Sequence, residues 1–270
     1  MTPQTIALLL SQGKATKRGR PATRPMLFSR KTEMQYAKEL LAISDICKAD
    51  GQVIFDMLKN SGIFVGDAAI GDAPWWAAKV ANIATGTNDK VRGIAGQVVS
   101  KIVLGQAGST QEQLAIKLKN VSGIDVSNMM RYDVDFKRVV DSAIMVNVAL
   151  VESLPKQYHE KLEGIILRNL QQNKGLDWVE TEIKKLGDIT DNRARLIARD
   201  QTSSINAAVN KARQLQMGIE KYTWETRGDS RVRVSHAEKR GLRYSWDNPS
   251  SIGHPGEPIC CRCNAEPYIE

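Results

Sequence analysis

No stretch of the 270 residues comes near 18 consecutive apolar positions, the length that a membrane-crossing helix requires. The most apolar run, Ala143 to Leu154, is broken by Asn147, Glu152 and Ser153. At the N-terminus the apolar patch Ile6 to Leu10 is short and precedes the first basic residue, the reverse of the order in a secretory signal peptide. These absences predict a protein made and kept in the cytoplasm, at least initially, with no membrane partner. Cysteine is scarce too, and four in this length are too few for a disulfide scaffold. Three of the four nevertheless fall together, as Cys260, Cys261 and Cys263. Acidic residues are missing altogether from positions 1–31.

What is present reverses the first impression of a uniformly basic chain. The formal charge of +8 comes from 38 Lys and Arg against 30 Asp and Glu. Lys14, Lys17, Arg18, Arg20, Arg24, Arg30 and Lys31 supply +7 of it within residues 1–31. The body is therefore near neutral, and its 42% hydrophobic content suffices for a packed core. Ser11 to Arg30 mixes Gly, Pro, Thr and basic residues without a hydrophobic period, which predicts an extended or disordered basic arm. Such a cluster can displace counterions from nucleic-acid phosphates; it can equally be a solvated tail or a strap across a neighbouring subunit.

From Glu33 onward the apolar spacing is helical, through Met34, Ala37, Leu40, Leu41 and Ile46, up to the Asn60-Ser61-Gly62 stop. Residues 61–74 read as a loop. Gly66 and Gly71 have phosphate-loop spacing, but Asp72 stands where a lysine is needed, so a nucleotide site is excluded. Short helices are expected at Trp75 to Ala84 and Asp89 to Leu104, separated by Thr85-Gly86-Thr87, with another starting at Ser109 or Thr110. A strong helix spans Met129 to Leu154, with Pro155 ending or kinking it, and a further one runs to Asn173-Lys174-Gly175. Residues 32–188 show no catalytic constellation, which suits an assembly or docking region.

Residues 189–270 carry the chemistry. Thr190 or Asp191 can cap a helix running to Met217, with Gly218 as its stop. Ile197, Ile205, Ala208, Ala212 and Leu215 mark its expected buried side, and Arg193, Arg195, Arg199, Lys211 and Arg213 the opposite one. Ile219 to Thr226 alternates as a strand, Arg227-Gly228-Asp229-Ser230 is a turn, and Tyr244 to Asp247 and Ala265 to Ile269 read as further short strands. The Arg-Gly-Asp tripeptide in that turn is a chance match to an adhesion motif.

The ordered pieces of this region resemble the C-terminal domain of phage Mu F-like minor head proteins, the phage head-morphogenesis family. They are Arg193-Ala194-x-Leu196-Ile197-Ala198-Arg199, then Asn206 and Asn210, Trp224, Asp229-x-Arg231-x-Arg233-x-x-His236, and Gly241. The series closes on Gly253-His254-Pro255-Gly256-Glu257 and Cys261-Arg262-Cys263. Two departures stand out: Asp200 where the family usually has Glu, and Cys260 where it usually has Asn. The resemblance covers about the last third of the chain. It implies a virion component present in few copies, acting near the portal during head assembly, in some cases binding DNA or helping it leave the head. It also implies a portal or major capsid protein as partner.

Two chemistries fit the clustered polar residues. His236, His254, Cys261 and Cys263 can supply a two-His, two-Cys zinc site that pins a loop-rich domain, although Cys260 or Asp229 can replace a nominated ligand. Without metal, the two cysteines are small, partly buried strand residues, and His236 pairs with Asp229 to hold the turn. Arg231 and Arg233 then pair with Asp229 and Glu257, or face DNA. Alternatively Asp229, Arg231, Arg233, His236 and Arg262 form a metal-dependent nuclease or transferase site. No paired carboxylates or activated nucleophile accompany the histidine, so the expected role is non-enzymatic. The expected fold is mainly α, with a small C-terminal α+β domain and the basic arm.

Overall fold

The computed structural model describes residues 2–13, 26, 28–62, 73–130 and 133–269. Five long or terminal helices come first: α1 (Pro3–Gln12), α2 (Arg30–Ser61), α3 (Ala73–Ser122), α4 (Val134–Gln172) and α5 (Leu176–Gln216). The chain then forms β1 (Lys221–Glu225), the one-turn α6 (Val234–Ala237), β2 (Arg243–Ser245) and β3 (Asn264–Tyr268). The three strands make an antiparallel sheet in the order β2-β1-β3, with Tyr222 opposite Tyr244 on one side and Pro267 on the other. The fold is therefore mainly α with a small α+β element near its C-terminus, as expected.

Several expected breaks are absent because tertiary contacts override local preference. Thr85-Gly86-Thr87 lies inside α3, where buried Thr87 donates its hydroxyl to Asp50 at 2.6 Å. Val80, Val91, Ala95, Val99 and Val103 are buried along the same helix, which offsets the roughly 1 kcal/mol that each interior glycine costs. Pro155 lies within α4, and its carbonyl accepts the Nδ1 hydrogen of His159 at 2.8 Å. Thr190 and Asp191 do not begin a helix, since α5 already starts at Leu176; Asp191 instead accepts the Ser44 hydroxyl at 2.7 Å. The helix expected from Met129 begins at Val134, where the Asp133 carboxylate accepts the Phe136 amide.

Contacts divide the chain into two compact units that interleave in sequence: residues 34–100 with 146–198, and residues 1–33 with 101–145 and 199–270. The first holds an apolar cluster built on Cys47, Ile54, Leu58, Trp76, Leu162 and Ile166. Within it, buried His159 lies 3.0 Å from Asp50, and Tyr158 packs edge-on against the imidazole.

The second unit contains the strands and α1. Of the stretch expected to be extended, Ser11 and Gln12 are the end of helical Pro3–Gln12: Thr2 caps it, and Ile6 and Leu10 pack with Leu114, Leu118, Met217 and Ile219. The segment carries no charged residue, and the four-residue spacing of Ile6 and Leu10 puts both on one face. Met26 and Phe28 are buried as well, and the Met26 amide donates to Glu266 at 2.6 Å. Lys14, Lys17, Arg18, Arg20 and Arg24 lie outside the described residues, while Arg30 and Lys31 are exposed in the first turn of α2. Glu266 also pairs with Lys117, whose ammonium is pushed down to about 8 by burial. At the end of α5, Gly218 adopts φ 72° and the Ile219 amide reaches back to the Gln214 carbonyl, a left-handed stop. A Cβ there would fall 2.3 Å from the Pro3 carbonyl oxygen, so α1 approaches closely because this residue is glycine.

Candidate functional site

Strand alternation sends Tyr222 and Trp224 of β1 inward, both with no exposed surface. Gly241, at φ 80°, lets the chain return beside β1: its amide donates to the Trp224 carbonyl, and the Trp224 amide to the Leu242 carbonyl, both at 2.8 Å. Between them the Asp229 side chain accepts the Arg231 amide, closing a turn that leads into α6. That turn of helix buries His236 with its ring edge-on to Trp224 at 5.8 Å.

The last loop brings the cysteines to the same place. Gly256, at φ 91°, passes so close to α5 that a Cβ would fall 2.3 Å from that of Ala207, and its amide donates to Cys261 Sγ at 3.3 Å. Ser203 of α5 donates to the Cys261 carbonyl, and Asp200 accepts the Cys260 amide at 2.6 Å. His236 Nδ1 is thereby 3.5 Å from Cys261 Sγ and 3.4 Å from Cys263 Sγ. All three ligand atoms lie within 4.8 Å of one another and all three residues are buried. The two thiols share a proton unequally. A hydrogen bond from Cys263 lowers the Cys261 thiol, with the Gly256 amide and His236 helping against burial, while the same bond and burial raise Cys263. The Trp224 indole N–H opposes that rise by favouring a Cys263 thiolate. Imidazole and two thiolates are a donor set suited to zinc.

His254 is not in this group. Its Nδ1 meets the Tyr222 hydroxyl at 2.8 Å, and its ring lies 5.0 Å from that of Trp246. Burial, with Lys211 adding repulsion, lowers its pKa. Gly253 and the Glu257 carboxylate, which accepts the His254 amide at 2.7 Å, set this placement. Nor does Asp229 pair with His236: Arg262 grips it with two bonds of 2.7 and 2.6 Å and holds its carboxyl down at about 2. Arg231 stands 3.6 Å from the same carboxylate, whereas Arg233 donates to the Ile259 carbonyl at 2.6 Å and not to Glu257. Arg199 reaches Cys260 Sγ at 3.6 Å. Arg199, Arg231, Arg233 and Arg262, together with His236 and the clustered cysteines, line a cleft of about 190 Å³.

The buried face of α5 differs from the one that its apolar residues predict. Ile197 and Ile205 are buried, but Ala208 and Leu215 are exposed. The row that meets β3 is polar: Ser203, Asn206, Asn210 and Gln214 are all buried. Asn210 and Gln214 both donate to the Ala265 carbonyl, at 2.8 and 2.9 Å. Arg213, expected on the solvent side, is 1% exposed, stacks 3.5 Å over the Phe136 ring and donates to Gln111. The readable signal was the three-to-four spacing of these polar residues, which places them on one face.

A loop-rich α+β element, with a His-Cys-Cys group backed by a polar helix face, is the class of structure that these residues define. Residues 160–266 match the family described as Phage Mu protein F like protein. This match takes in all of the residues from Arg193 to Cys263 that carry the resemblance. The chain is also similar to an uncharacterized protein of Haemophilus influenzae (strain ATCC 51907 / DSM 11121 / KW20 / Rd), 31% identical over 253 residues. That alignment covers 92% of this chain and 55% of the relative, so the chain spans about half of the relative's length. No solved structure matches. None of the described helices is long and apolar enough to cross a membrane.

Proposed function

We propose that this protein is a minor head protein of a tailed bacteriophage, acting without catalysis near the portal during head assembly and in DNA packaging or ejection. The family match over residues 160–266 carries the reading. In it, the His236-Cys261-Cys263 group binds zinc and staples the loops between β1 and β3, and the partner is the portal or major capsid protein. Double-stranded DNA is met through the basic segment of Lys14, Lys17, Arg18, Arg20 and Arg24, with Arg30 and Lys31 at its helical end. The decisive experiment is cross-linking in intact particles: links to portal or capsid protein support the role, and recovery of the protein only outside particles refutes it. Replacing the seven basic residues with Gln should flatten the salt dependence of DNA association, since each lost phosphate contact removes about 0.9 from the logarithmic slope. An unchanged slope removes DNA from the proposal.

The arginine-lined cleft beside the same cluster favours a second reading, a metal-dependent nuclease or transferase. His236→Ala separates the two: turnover lost with assembly intact marks an enzyme, whereas lost folding or incorporation marks a structural residue.

A further inference from the structure

The metal-ligand group has three protein members, whereas a closed structural zinc site has four. Among the described residues no further His, Cys, Asp or Glu places a ligand atom with these three, and the neighbours in sequence make other contacts. His254 is bonded to Tyr222, Asp229 is gripped by Arg262, and Glu257 accepts the His254 amide. Asp200 accepts the Cys260 amide, and Cys260, held at φ 54°, presents its sulfur to Arg199 instead of joining the group. The fourth position is therefore left to a ligand from outside.

The surroundings specify what that ligand is. The cleft that contains His236, Cys261 and Cys263 is also lined by Arg199, Arg231, Arg233 and Arg262. Arg262 is neutralised by its two bonds to Asp229. Arg233 is oriented by a carbonyl, Arg199 by a sulfur, and Arg231 has only the second claim on Asp229, so these three keep positive charge to offer. They come from α5 and from the turn before α6, so the convergence is made by the fold. Two thiolates neutralise a divalent ion, which leaves the surplus charge of the cleft with the guanidinium groups. A guanidinium fork matches a tetrahedral oxyanion better than any neutral ligand. About 190 Å³ is several times the roughly 30 Å³ share of one water in the liquid.

We infer that the cleft is a phosphate-binding site in which the anion takes the open fourth position of a His236-Cys261-Cys263 metal centre, beside Arg199, Arg231 and Arg233. This inference rests on the zinc reading above. It needs no hydrolysis, and its ligand is either a nucleic-acid backbone phosphate or a free phosphate.

Cobalt(II) in place of zinc tests both levels, because thiolate charge-transfer bands report the ligands and visible d–d bands report the fourth one. The full chain, loaded with cobalt, should show thiolate bands, and inorganic phosphate should shift its visible bands saturably. Arg199→Gln and Arg231→Gln, both at surface positions, should keep the thiolate bands and weaken phosphate binding roughly tenfold, the scale of a charged hydrogen bond. A short DNA duplex that produces the same shift assigns the ligand to a backbone phosphate, and a response to inorganic phosphate alone assigns it to a small one; both support the inference. Thiolate bands with no response to phosphate, or a response that both arginine variants retain in full, overturn it while the metal centre stands. Absence of thiolate bands in the reduced protein overturns the metal centre and the inference with it.

Discussion

The helical unit and the C-terminal sheet are built on different physics. The unit of residues 34–100 and 146–198 is cemented by aliphatic side chains on long helices, such as Ile54, Leu58, Leu162 and Ile166. The C-terminal sheet has few aliphatic contacts to offer. Its core is Tyr222, Trp224, Trp246, Cys261, Cys263 and Ala265, and its support is a buried row of amides on α5. Hydrophobic packing is nondirectional and tolerates adjustment, whereas a hydrogen-bonded loop has one geometry. A region that must hold His236 within 3.5 Å of two sulfurs uses the second kind.

This contrast can be broken most forcefully at Trp224. Trp224→Ala removes the largest buried side chain of the sheet and the ring against His236, and should cost about 3–5 kcal/mol. Chemical denaturation measures the loss, and a cost below about 1 kcal/mol would show that the sheet does not rest on this residue. The next effect compares the two kinds of core directly. Asn206→Leu removes an acceptor for the Thr110 hydroxyl and Gln106 amide and a donor to Asn264, and should cost about 1–3 kcal/mol despite adding apolar surface. Ile54→Val in the helical unit should cost only about 0.5–1.5 kcal/mol. Equal costs would erase the distinction between the helical core and the support of the sheet.

The smallest effect lies at the turn. Asp229 titrates at about 2 in the folded protein against 3.8 when unperturbed, because Arg262 favours the carboxylate. A depressed folded value means that the contribution is present above about pH 4 and is lost as pH falls from 3.8 toward 2. Stability curves of the wild type and Asp229→Asn should converge across that window. The gap at neutral pH should be small and should shrink with salt, because the pair is partly exposed. Parallel curves would mean that the Arg262 grip contributes nothing.

Much of the C-terminal region was legible because its signals are local. The alternation around Tyr222 and Trp224, the Asp229 turn and Gly241 each follow from a few neighbouring residues, and all appear where expected. Three of the four nominated metal ligands come together for the same reason: two are separated by a single residue and the third sits on one turn of helix. His254 could not be sorted by composition, since its place depends on which neighbour its ring meets, and that neighbour is Tyr222, 32 residues away. The helical region was legible in type but not in its joins. Gly86, Pro155 and Thr190 all read as punctuation, yet α3, α4 and α5 run through them.

By itself, then, the sequence determined the mainly helical character, the small C-terminal strands, the concentration of charge near the N-terminus and the residues that carry the family resemblance. Each of these depends on periodicity, composition or motif order within a short span. The tertiary structure alone decided that Pro3–Gln12 is a packed helix, that α5 buries an amide row, and that Asp229 belongs to Arg262. It also decided that His236, Cys261 and Cys263, without His254, come together in an arginine-lined cleft. Those outcomes turn on which partner wins a buried donor or charge, and the partners stand far apart in the chain, as Met26 and Glu266 do.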